Sequence, residues 1–80
     1  MIAQNMVNPS SWVETGVKIS QVRQLYLFKF TDELQERLDG LSERKKAELL
    51  TSEEAAELTG LLELDRIFTL MNARIISESQ

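Results

Sequence analysis

The chain has no cysteine and no histidine, and only one proline and three glycines in 80 residues. Without cysteine there is no disulfide. Without either residue type there is no thiol or histidine-assisted nucleophile and no common zinc site. Gly16, Gly40 and Gly60 stand too far apart for a phosphate-binding loop or a dinucleotide fingerprint. No segment has the alternating oxygen ligands and central glycine of a calcium loop. Long apolar runs are also missing. The longest is Leu25-Tyr26-Leu27-Phe28, far short of the ~20 residues a membrane-spanning helix needs. Met1 to Pro9 lacks the charged start and apolar stretch of a secretory signal. These absences lead us to expect a cytoplasmic, non-enzymatic protein with no metal, cofactor, small-molecule substrate or membrane contact.

What is present is ordinary for a soluble domain: 42% hydrophobic and 28% charged residues. A single core in so short a chain supplies only ~3–5 kcal/mol. With disulfides and zinc excluded, assembly with another chain is the expected source of further stability. The sequence therefore predicts a homodimer or a complex with a protein partner.

Charge and aromatics are unevenly distributed. Residues 1–30 carry three bases (Lys18, Arg23, Lys29) against one acid, a net of +2, whereas residues 31–80 carry six bases against twelve acids, a net of −6. Four of the five aromatics, Trp12, Tyr26, Phe28 and Phe30, precede residue 31, and only Phe68 follows it. Glu53 with Glu57 and Glu36 with Glu43 share helical faces, as a paired-carboxylate site would require. Runs of charge are more commonly a solvated face, and we read these so. Arg44-Lys45-Lys46 reads as the basic end of a helix.

Residues 1–11, rich in Asn and Ser around Pro9, read as a flexible tail, and residues 12–80 as one small domain. Val22 to Phe30 is aromatic and β-branched with partial alternation, which suggests a short strand. Ser20 capping a helix with Val22, Leu25 and Tyr26 on one face is the alternative. Thr31 followed by Asp32 and Glu33 is a helix start, and Leu34, Leu38 and Leu41 form its apolar stripe, giving a helix over 32–45. Thr51-Ser52-Glu53-Glu54 is a capping box opening a second helix over 52–76. In that helix Ala55, Leu58 and Leu62 form one stripe. Leu61, Leu64, Phe68, Met71 and Ile75, widened by Ile67 and Leu70, form another. Gly60, at the change of face, leaves open one long helix or two bent segments. The expected fold is mainly α: an N-terminal arm or short strand, then a helical hairpin with a long or bent second helix, assembling as a dimer. The apolar face of residues 61–76 exceeds what the first helix can cover. Leu61, Leu64, Ile67, Phe68, Met71 and Ile75 are therefore the candidate dimer or partner interface.

Two resemblances refine this reading. The stretch Leu27-Phe28-Lys29-Phe30-Thr31-Asp32-Glu33-Leu34-Gln35-Glu36-Arg37-Leu38-Asp39 resembles the opening of a ribbon-helix-helix repressor, across about residues 24–60. That resemblance implies a dimeric DNA-binding autorepressor in which two chains pair their strands, with Leu25, Leu27 and Lys29 facing outward. Lys18, Arg23 and Lys29 are the candidate nucleic-acid contacts, three bases per chain and six per dimer, enough for salt-dependent phosphate binding. The segment from Thr31 to Ile75, with TDELQERLDGLSERKKAELLTSEEAAEL and LLELDRIFTLMNARI, is similar to short bacterial proteins common in cyanobacteria. Those are encoded beside HNH-type endonucleases in the manner of an antitoxin beside its toxin. This second resemblance implies an inhibitor that binds a nuclease-type partner through its acidic helical surface, with apolar residues as anchors.

Overall fold

The computed structural model describes residues 6–79. Of the tail expected at 1–11, residues 1–5 lie outside the described residues. From Met6 on, the segment lies against the second helix, with the Val7 N–H donating to the Ala56 carbonyl at 3.0 Å. A 3-10 turn follows at Pro9–Trp12.

The sequence reading put one strand at 22–30; the chain makes two. Strand β1 (Val17–Val22) and strand β2 (Leu25–Phe30) form an antiparallel hairpin in the register Val17↔Phe30, Ile19↔Phe28 and Val22↔Leu25. The fold is therefore α+β, with a two-stranded sheet beside two helices, and the mainly α expectation is corrected. The cause is local. Val17, Ile19 and Val22 carry enough β-branched side chains for a strand, and the chain reverses over Arg23-Gln24. Arg23 takes the positive φ (60°) that a tight hairpin turn demands, without a glycine to advertise it.

Helix α1 (Asp32–Lys46) is capped as its sequence suggests, Thr31 Oγ1 accepting from the Leu34 N–H. Its far end closes on Glu48, with φ 59°. The Glu48 N–H donates to the Lys45 carbonyl and the Leu49 N–H to the Arg44 carbonyl, which satisfies two carbonyls that the helix leaves unpaired. Helix α2 (Ser52–Glu78) runs unbroken through Gly60 and opens on a complete capping box. The Glu54 N–H donates to Thr51 Oγ1 and the Thr51 N–H to Glu54 Oε1, both at 3.1 Å.

Gly60 is there for approach, not for bending. A side chain on it would meet the Val7 carbonyl oxygen, and the Trp12 ring would be 3.1 Å away. Gly16 is similarly enclosed, by Leu34 and Trp12. Trp12 thus lies between the start of the hairpin and the middle of α2, and it fixes one to the other.

The core collects residues from β2, α1 and α2: Phe30, Leu34, Leu41, Leu58, Leu61, Leu64 and Phe68 are all buried, with Trp12 and Val17 packed against them. Phe68 stands under the hairpin, its ring centroid 5.1 Å from that of Phe30 and 6.1 Å from that of Phe28. One turn on, Asn72 reaches the edge of β2. It accepts from the Phe28 N–H at 2.9 Å and donates to the Phe28 carbonyl at 3.0 Å, so its amide does what a neighbouring strand would do.

Candidate interaction surfaces

Two surfaces stand out. The first is the outer face of α1. Asp32, Glu36, Asp39 and Glu43 recur at spacings of four, three and four, which places all four on one side of the helix. Leu34 and Leu41 are buried on the opposite side. All four acids are exposed. Asp32 has Lys18 at 3.7 Å, and Asp39 accepts from the Gln35 amide at 3.0 Å. Among the described residues, Glu36, Asp39 and Glu43 have no cation within 4.0 Å.

Two of the bases of α1 reach across to α2. Arg37 donates through Nε and Nη2 to both oxygens of Glu57, at 2.7 and 2.8 Å, and Arg44 donates to Glu54 at 2.6 Å. The paired hydrogen bonds from Arg37 hold the Glu57 carboxyl below its ordinary range, against a smaller opposing effect of burial. The same bonds raise Arg37 above its own ordinary value. Arg37 and Arg44 thus tie the helix pair together, while Asp32, Glu36, Asp39 and Glu43 face outward as a stripe.

The second surface is an apolar cleft of about 330 Å³ between the 3-10 turn, the hairpin and α2. Val13, Val17, Phe28, Ile67 and Met71 line it, with Leu64 and Phe68 at its floor. Val13 and Met71 are 55% and 42% exposed, and Ile19, at 61%, continues the apolar side of the hairpin that begins at Val17.

The candidate interface residues divide between inside and outside. Leu61, Leu64 and Phe68 are buried in the chain's own core, with Leu61 at 0% exposure, so they are not available to a partner. Ile67 and Ile75 are half-buried and Met71 is exposed. The apolar surplus read from residues 61–76 was a surplus over α1 alone. The hairpin and Trp12 take up part of it, around Leu64 and Phe68. The candidate nucleic-acid contacts are spread out. Lys18 and Lys29 are directly opposed across the hairpin, beside Asp32 and Asp65, while Arg23 sits in the turn at the other end. In this chain the strand expected to pair with a twin pairs with β1 instead.

Asn72 and Ile19 escaped the sequence reading, and Gly60 was read only as a possible bend. Asn72 is one polar residue among the apolar positions of α2, and only a strand edge placed against it gives it a task. The alternation of Val17 and Ile19 was the available signal for β1.

Among the described residues, no group of three or more acidic side chains is arranged to hold a metal ion. No helix of the described residues is long and apolar enough to cross a membrane. No family model matches the chain, and no curated protein or solved structure is significantly similar to it.

Proposed function

We propose that the chain is a non-enzymatic inhibitor of the antitoxin type, which acts in the cytoplasm by covering the basic surface of a nuclease-type protein with the outer face of α1. The observation that supports this reading is the exposed stripe Asp32, Glu36, Asp39 and Glu43, three of whose members have no ion-pair partner among the described residues. A row of fixed carboxylates along a rigid helix offers phosphate-like charges at fixed spacing. A nuclease groove built for nucleic acid binds such a row, and the long-range attraction speeds encounter. The apolar contribution in this reading comes from the exposed Met71 and its neighbour Ile67, because Leu64 and Phe68 are already occupied in the core.

The test is co-expression with an HNH-type endonuclease encoded beside it, followed by affinity measurement and a nuclease assay. A complex that inhibits cleavage and weakens with salt is expected. The triple variant Glu36→Lys, Asp39→Lys, Glu43→Lys should lose at least about 100-fold in affinity, roughly 2.7 kcal/mol. It should do so without loss of helical signal, since none of the three side chains packs inward. Absence of a complex, or a complex indifferent to the triple reversal, would sink this reading.

A further inference from the structure

The two edges of the hairpin are treated differently. Val22 and Leu25 flank a two-residue turn, so they form a hydrogen-bonded pair. The alternation then makes Ser20↔Leu27 and Lys18↔Lys29 hydrogen-bonded pairs as well. The bond from the Thr31 N–H to the Gly16 carbonyl at 2.9 Å continues that series. In the intervening pairs, Ile19↔Phe28 and Val17↔Phe30, the backbone groups point away from the hairpin. On the β2 side the outward groups of Phe28 are the ones taken by Asn72. On the β1 side, the outward N–H and C=O groups of Val17, Ile19 and Gln21 have no partner among the described residues. An uncovered row of this kind is a template for another strand.

We propose that two copies of this chain pair β1 to β1 across a twofold axis at Ile19, forming a continuous four-stranded antiparallel sheet. This inference is independent of the inhibitor reading. A twofold axis on β1 requires each outward-pointing residue to meet another, and three central registers allow it. An axis at Lys18 would set two lysines directly opposite, which is destabilising. An axis at Ser20 would oppose Val17 to Arg23, whose positive φ takes it out of the strand. An axis at Ile19 opposes Ile19 to its own copy, Lys18 to Ser20 and Val17 to Gln21. It forms about six new backbone hydrogen bonds, places no like charges opposite each other and buries the 61%-exposed Ile19 against itself. It also joins the two apolar sides of the hairpins, each bordered by its own Val13 and Met71, across the seam. The pairing satisfies the open edge of β1 and extends the sheet to four strands, which gives the small domain the extra stability that its length leaves wanting.

Sedimentation equilibrium and light scattering on the whole chain test the assembly, with a dimer of twice 9.2 kDa expected. Ile19→Lys sets two like charges at the axis and should weaken the dimer by at least 10-fold. Because the side chain is exposed in the single chain, the helical circular dichroism should not change. The register has its own readout, aided by the absence of native cysteine. Under mild oxidation Ile19→Cys should form an intermolecular disulfide readily and Lys18→Cys should not, since Cα atoms of a directly opposed pair lie about 5.5 Å apart. If Ile19→Lys fails to fold, the cysteine pair still decides. A monomer at all concentrations overturns the proposal, as does a monomer whose edge is protected from amide exchange only in the presence of a different protein. Ready crosslinking through Lys18→Cys instead overturns the register.

Discussion

Two glycines in helices make opposite demands on the same substitution. Gly40 is exposed on α1 with nothing within 4 Å of where a side chain would start. Gly40→Ala should stabilise the protein by about 1 kcal/mol, the ordinary difference in helix propensity. Gly60 also sits inside a helix, yet the Val7 backbone and the Trp12 ring occupy the same space. Gly60→Ala should destabilise by about 1–3 kcal/mol, as forced overpacking does. Thermal denaturation of both variants gives the two signs. Glu48, at φ 59° after α1, is the third case: Glu48→Gly should stabilise by up to about 1 kcal/mol, since a left-handed position favours glycine. From sequence alone, Gly60 looks like a possible break in the helix. Its real role depends on a segment some fifty residues earlier in the chain, which no local pattern can report.

Among the elements, the ends of the helices were the most legible parts. Thr31 and Thr51 cap through side-chain oxygens three residues away, an interaction contained within one turn. The hairpin was half legible. β2 carries its aromatics openly, but β1 has a lysine, a serine and a glutamine among its six residues, and the turn lacks the glycine that usually marks one. What the sequence does not reveal is that β2 and Trp12 fold back onto α2, so its apolar face looks uncovered. That is why Leu61, Leu64 and Phe68 read as an interface, while Ile67, Met71 and Ile75 do lie toward the outside. The joint between β2 and α2 yields a prediction of its own. Asn72→Leu leaves the Phe28 N–H and C=O without partners and should cost about 1–3 kcal/mol. Asn72→Asp can accept from the N–H but repels the carbonyl at neutral pH. Below the range in which the carboxyl titrates it gains a donor, so urea denaturation should show this variant recovering stability relative to Asn72→Leu as pH falls.

For the whole molecule, the paired helices carry an acid sensitivity of known sign. Arg37 holds Glu57 below its unfolded value of about 4.3. The contribution is present above that value and is lost as pH falls through the lower folded one. Because Arg37 is about half exposed, the effect is at most about 1 kcal/mol. Glu57→Gln should be less stable than the parent at pH 7 and should converge with it towards pH 3, as urea midpoints across that range will show. The single tryptophan provides a test of unity. Trp12 packs against both Gly16 and Gly60, so its fluorescence should change at the same denaturant concentration as the helical circular dichroism. An earlier fluorescence transition would mean that the N-terminal segment detaches independently.

The contact between Phe28 and Asn72 spans 44 positions in the sequence, and it has a consequence for the chain as it is made. The hairpin is complete at residue 30, but Phe68 and Asn72 are added only about forty residues later. At about 5–20 residues per second, the nascent aromatic strand waits about 2–8 s for its cover. During that interval Leu25 to Phe30 is an exposed, adhesive segment on the ribosome. Translation speed through α2 therefore bears on yield as directly as the stability of the finished fold.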